Sequence, residues 1–380
     1  APVTKRAGIV AAQAGKVECL QYLHSRGMEL SSPVCEAAYA GGNLDCVKYV
    51  MGNNTRKNYN SAHTCAANGH FECVKYVIQK MAPDHQYRGY MIDDAFRSAA
   101  DKGQLNCLQQ MLEEWYDEKY VRRMAKSAVW NGHLDVIKFA VDRGADVTQL
   151  PSILRRAAAG GHLDCVQFLH QRGCSLSAEV LKSAACSGDQ DTFKYLIEHH
   201  CPADTDTCNA LAYKNFLELL QYARQHGCPW DEGTCASAAE GGNLAVLQYL
   251  HTNGCPWSLD NIPYDVSATP VESSHEDGDA AVGLNEDLQE MYEFIYDEDD
   301  TLALKHITRS AARAPTVDCL IYLVEQGLTL DPHCGALAAR SKCVDTLRYL
   351  HARGYSWNEK DCAAAANRGA AECLQFLHEI

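Results

Sequence analysis

The chain has 380 residues, with 49 Asp and Glu against 34 Lys and Arg and a formal net charge of -15. That length exceeds what one hydrophobic core usually supports, so several domains or an elongated repeat array is expected. The negative charge argues against nucleic-acid binding and membrane attachment, which need a basic surface, and favours basic or neutral protein surfaces as partners.

Taken in order, the chain repeats itself. Aligning on Val136 gives a ladder of equivalent residues: Cys19, Cys46, Cys73, Cys107, Val136, Cys165, Thr192, Leu219, Val246, Met291, Cys319, Thr346 and Cys373. Most steps are 27 residues, and a fixed period over nearly the whole chain means a stack of like units, here about 13 of them. Four residues before most anchors stands a glycine, as at Gly42, Gly132 and Gly161, preceded by a run of small residues such as Ala157-Ala158-Ala159. Eight residues after many anchors stands another, as at Gly144, Gly173 and Gly254.

The pattern predicts a helix–turn–helix unit. An Ala-rich first helix admits close neighbours, the first glycine turns the chain with positive φ, and the second ends the next helix. In Leu163–His170 the polar residues fall on one stripe and Leu163, Cys165, Val166, Phe168 and Leu169 cover the rest. So short and apolar a helix has to be sandwiched between neighbouring units, and stability comes from stacking.

Gly132-His-Leu-Asp-Val-Ile-Lys-Phe139, followed by Arg143-Gly-Ala-Asp-Val147, resembles the second helix and exit of an ankyrin repeat. Gly161–Leu169 and Gly69–Val77 resemble it in the same way. The resemblance implies an all-α, ankyrin-like solenoid and a non-catalytic role in holding other proteins. Two features depart from the family: a period of 27 rather than about 33, and segments such as Asp231–Ala236 in place of the usual Thr-Pro-Leu-His entry. The projecting hairpin is expected to be trimmed to a tight loop.

Where the repeat breaks, function is sought first. Residues 1–259 are read as repeats with an insert near 81–91, expected to be a longer loop or a partner-contacting bulge carrying Tyr87 and Tyr90. Glu113–Tyr120 follows, with Trp115 and Tyr116. Residues 260–280 are read as an acidic, Pro/Ser-rich insert loop containing Tyr264. Residues 281–380 are read as repeats again, the first degenerate, with Asp287–Ile295 as its second helix. Its Tyr292, Tyr296 and Asp297 are candidate contacts for a basic partner segment. Pro315, Lys342 and Asn215 stand at the inter-helix glycine position and are expected to turn less well. Neither end shows an obvious polar cap, so a fragment of a longer chain is expected, with Ala1 a processed or truncated start.

The exits at Trp230, Trp257 and Trp357 hold three of the five tryptophans, either as loop clamps or as contact points for a partner. His70, His133 and His162 follow the inter-helix glycine, where a bond within the turn is expected. His24, His170, His251, His351 and His378 lie near the ends of second helices, where a donor suits the free carbonyls.

Nineteen cysteines invite a thiol or metal-binding reading, but no two are three residues apart, so the CxxC pair of zinc and redox sites is absent. Most recur at two packing positions, as small buried hydrophobes. Reduced thiols imply a cytoplasmic, nuclear or organelle-matrix setting, which makes the Asn53-Asn-Thr55 glycosylation pattern incidental. No GxxxxGK[ST], GxSxG or HExxH motif occurs, and no stretch approaches the ~20 apolar residues of a membrane span. No enzyme activity, cofactor, metal, nucleic acid or membrane insertion is expected. The function expected is a protein-binding scaffold, as an accessory subunit of a larger assembly or as a substrate-recognition arm such as a ubiquitin-ligase adaptor.

Overall fold

The computed structural model describes residues 5–53, 61–81, 85–150, 152–257 and 307–380. Among these residues there are 24 α-helices, one 3-10 turn at Val147–Gln149 and no strand. The α-helices form twelve antiparallel pairs. The chain divides into two compact units, Ala1–Cys201 with seven pairs and Pro202–Ile380 with five.

One pair shows why the sequence folds this way. The first helix, Ile153–Ala159, buries Ile153, Leu154, Ala157 and Ala158. The second, Leu163–Gln171, buries Cys165, Val166 and Leu169 and leaves Asp164 and Gln171 exposed. Alanines in the first helices let neighbouring first helices pack more intimately than neighbouring second helices do.

The anchor Cys73 presses on the pair before it. The Cys73 thiol donates to the Gly42 carbonyl at 3.2 Å, 31 residues back. From Cys46 to Cys373 every described anchor is at most 3% exposed. Cys19, in the first described pair, has no described pair in front of it and is exposed.

The helix entries replace the missing family motif with caps. The Asp231 carboxylate accepts from the Thr234 amide at 3.2 Å, and the Thr234 hydroxyl accepts from the Asp231 amide at 3.2 Å. Each satisfies a backbone donor that the helix start leaves free. Asn358 and Asp361 form the same reciprocal pair.

Three expectations are revised. Residues near 81–91 are not simply a longer loop: His85–Asp101 is a first helix of 17 residues, and the extra length lies in its added turns. Asn215 and Lys342 do turn as glycine would, at φ 64 and φ 60. Pro315 does not, because its ring fixes φ near -65°; the second helix there begins at Asp318, one residue late in the register. The expected loop at 260–280 and the degenerate repeat through residue 306 lie outside the described residues. The rung after Val246 is filled by Ile307–Glu325: Ile307–Arg313 packs on the first helix Glu232–Glu240, and Asp318–Glu325 on the second helix Leu244–Thr252.

Candidate functional site

A binding surface in a stack of repeats consists of the side chains left over once the seams are closed. The first seam runs along the inter-helix turns. The Nε2 of His70 donates to the Ala40 carbonyl at 2.9 Å, that of His133 to Asp101 at 3.0 Å and that of His162 to Trp130 at 2.9 Å. Each acceptor is at the C-terminus of the preceding pair's first helix, so the bond lies between repeats and not within the turn. Since a carbonyl only accepts, these rings carry their proton on Nε2. Asn243 replaces the imidazole with an amide, donating to the Ala212 and Tyr213 carbonyls at 2.8 and 2.7 Å. The arrangement also explains why Gly42 is glycine beyond its φ of 70°: a Cβ there would lie 2.2 Å from the His70 ring.

The second seam joins the ends of second helices. His24 Nδ1 lies 2.7 Å from the Tyr49 hydroxyl, His170 Nδ1 2.9 Å from Tyr195 and His251 Nδ1 2.8 Å from Tyr322. Where the next repeat offers Phe376 and no hydroxyl, the Trp357 indole donates to His351 Nδ1 at 3.4 Å instead.

These seams absorb most of the conspicuous side chains. Trp257 stacks on His251 with ring centroids 3.6 Å apart and reaches Tyr322 at 6.2 Å. Trp230 is half-buried under the Arg224 guanidinium, 4.3 Å above its ring, and beside Tyr249. Trp357 packs against Tyr355 at 5.0 Å, and Trp115 against Phe71 at 6.0 Å. Tyr87 and Tyr90 stack on each other at 6.4 Å. Only Tyr90 and Tyr116 among the described candidates are well exposed, at 68% and 61%. Tyr264, Tyr292, Tyr296 and Asp297 lie outside the described residues. The described candidates fall in several repeats, with Tyr87, Tyr90, Trp115 and Tyr116 flanking one helix pair.

A different set does line up. Ten residues before the anchors, on successive first helices of the first unit, stand His63, Arg97, Lys126, Arg155 and Lys182. Each is at least partly exposed while the Ala residues beside it are buried. The first two rungs are balanced internally. Asp94 lies 3.5 Å from His63 and 2.5 Å from Arg97, and its carboxyl is held below the usual range, first by His63 and then by Arg97. Arg123 pairs with Asp93, and Arg122 with Glu118 at 3.5 Å. No ion pair engages Lys126, Arg155 or Arg156 among the described residues. Arg156 sits beside the like charge of Arg155, and partial burial together with that neighbour lowers its pKa.

Charge is thus sorted by position. The first helices Glu118–Trp130, Ile153–Ala159 and Ala178–Ser187 carry seven Lys and Arg against two Glu. In the second unit, Thr205–Tyr213 and Glu232–Glu240 carry three acidic residues and no basic one. The bulk composition hides this local reversal of sign. Tabulating the position ten residues before each anchor would have exposed it.

Most of the thiols are poorly suited to chemistry. Sixteen of nineteen are buried, none is disulfide-bonded, and burial pushes Cys107, Cys208, Cys319 and Cys334 up to about 12. A neutral buried thiol is neither nucleophile nor ready metal ligand. No group of three or more His, Cys, Asp or Glu side chains placed to hold a metal ion occurs among the described residues. Among the same residues no helix is long and apolar enough to cross a membrane.

The family model for ankyrin repeats matches residues 8–88 and 124–209, in three copies. No curated protein matches. Among solved structures, the chain is similar to the human ASB11 ankyrin repeat domain at 17% identity, over 44% of this chain and 84% of that one, with a TM-score of 0.34. The helix pairs of residues 8–88 and 124–209 are thus similar to ankyrin repeats, and the described residues form an all-α array of helix pairs.

Proposed function

We propose that this chain is a non-catalytic scaffold that holds protein partners on the first-helix face of its repeats, as an accessory subunit of a larger assembly. One observation carries this reading. The seams use the histidines at the turns and second-helix ends, their tyrosine partners and most tryptophans, whereas Lys126, Arg155 and Arg156 project from successive first helices with no ion pair to a described residue. Preorganised side chains on rigid helices bind with little ordering cost. Exposed Tyr90 and Tyr116 are the remaining aromatic candidates for partner contact. Sixteen buried thiols suit a reducing compartment, the cytoplasm first.

The test is site-specific photo-crosslinking of the full chain in cells. A crosslinker at Ser127 or Ser183, on the first-helix face, should trap partner protein, and one at Gln171 or Glu198, on second helices, should not. Trapping from the second helices alone rejects the reading. A partner recovered in fixed stoichiometry marks an assembly subunit, and one recovered ubiquitylated marks the alternative, a substrate-recognition arm such as a ubiquitin-ligase adaptor.

A further inference from the structure

We propose that the cationic ladder His63–Arg97–Lys126–Arg155–Lys182 binds an extended acidic peptide segment of a partner, with its carboxylates at every third residue. The inference rests on the first-helix face being the partner surface, and adds the partner's chemistry and its register.

The periodicity comes from the stack. Adjacent helices pack about 8–10 Å apart, so one rung recurs at that interval from one first helix to the next. A peptide in the polyproline II conformation advances about 3.1 Å per residue with three residues per turn, so three residues cover about 9 Å and return to the same face. Carboxylates at i, i+3 and i+6 therefore meet successive rungs, and those at i, i+2 and i+4 or at i, i+4 and i+8 fall out of step. A segment of about 13 residues spans all five rungs at this spacing, and one of about 10 spans four.

The charges favour carboxylates at the centre of the ladder. Asp94 already serves His63 and Arg97, so the strongest demand falls at Lys126 and at Arg155 with its neighbour Arg156. Two adjacent guanidiniums with no ion pair, one of them partly desolvated, gain most from an incoming anion. The rung before the ladder has the opposite sign: Glu36 stands at this register before His63, and Lys182 lies on the last first helix of the first unit. A nucleic acid is disfavoured because the rest of the chain is strongly acidic and would repel a polyanion beyond the ladder.

The test uses the full chain and synthetic fluorescent peptides of about thirteen residues with four Glu each, in a Ser/Thr/Gly background. The Glu residues are spaced by three in one peptide, by two in a second and by four in a third. Fluorescence anisotropy at about 0.1 M salt, where screening extends over about 10 Å, should show binding of the three-spaced peptide at least fivefold tighter than either control. Lys126→Glu with Arg155→Glu should weaken it at least tenfold, while Arg155→Lys, which keeps the charge, should cost less than threefold. Circular dichroism melts that match the wild type exclude unfolding as the cause, and the milder pair Lys126→Gln with Arg155→Gln gives the same ordering if the Glu variant is unstable. Equal affinity for all three spacings would overturn the register, as would tighter binding of a single-stranded RNA of equal charge. Crosslinking from Ser127 and Ser183 that still traps a protein would then leave the scaffold reading standing without this partner chemistry.

Discussion

The imidazole of His251 and the hydroxyl of Tyr322 meet at 2.8 Å although 71 residues separate them in sequence. His24 with Tyr49 and His170 with Tyr195 make the same contact across only 25 residues. The three pairs occupy the same register, so the repeats that hold His251 and Tyr322 adjoin in the second unit. Tyr322→Phe should cost about 1 kcal/mol, the worth of one part-buried hydrogen bond, and Tyr49→Phe and Tyr195→Phe should cost similar amounts in urea unfolding. A loss at Tyr322 much smaller than at the other two would argue against direct stacking there.

The same register gives a sharper test by deletion. Removing residues 259–304 joins Ser258 to Lys305, restores a 27-residue step from Val246 to Cys319, and places Ser258 where Asp231 caps the preceding pair. Ser is a good N-cap, and shortening a loop lowers its closure entropy. The deleted protein should melt within a few degrees of the full chain in calorimetry, and a large drop would show that the removed residues carry part of the core.

Glycine positions give substitutions of opposite sign. Lys342 holds φ 60 where other repeats have glycine, and a side chain in the left-handed region costs about 1–2 kcal/mol. Lys342→Gly should therefore raise stability by about 0.5–1 kcal/mol after the entropic cost of glycine. Gly42→Ala should lower it by about 2 kcal/mol or more, since the new Cβ is both strained and in the place of the His70 ring. Urea midpoints of the two variants should move in opposite directions.

The buried thiols predict an alkaline limit. In the folded chain Cys107, Cys208, Cys319 and Cys334 stand at about 12, against an ordinary value of 9.0. Below pH 9 both states keep the proton and this stability is fully present. Above it the unfolded thiols ionise first, so stability falls as pH rises from about 9 toward the folded values. The urea midpoint should drop between pH 8.5 and 10.5 (the range is approximate). Cys319→Val, the residue used at Val136 and Val246, should drop less. At neutral pH a thiol reagent should label Cys19 and Cys362 at once, Cys186 more slowly, and the remaining sixteen only on unfolding.

Much of the architecture was legible because packing writes a period into the sequence. Anchors such as Val136 and Cys165, the turn glycines and the Ala-rich first helices each obey a local rule, and the helices follow. Contacts between repeats were less legible. His162 was placed within its own turn, whereas its Nε2 reaches Trp130 in the preceding pair, because register across a seam depends on how two helices dock. The tryptophans drew notice by size, yet Trp257 and Trp357 mainly close seams. Lys126 and Arg155 were overlooked because a lone cation on a helix is ordinary, and only their shared register makes them a surface.

Quantitative mass spectrometry of proteins co-purifying with the full chain tests the central claim most directly, comparing the wild type with the triple variant Lys126→Glu, Arg155→Glu, Arg156→Glu. If the first-helix face carries the partner, the variant keeps its melting temperature and loses that partner by about tenfold or more, the scale expected for truncating interface hot spots. Undiminished recovery of the same partner by a folded variant would contradict the account.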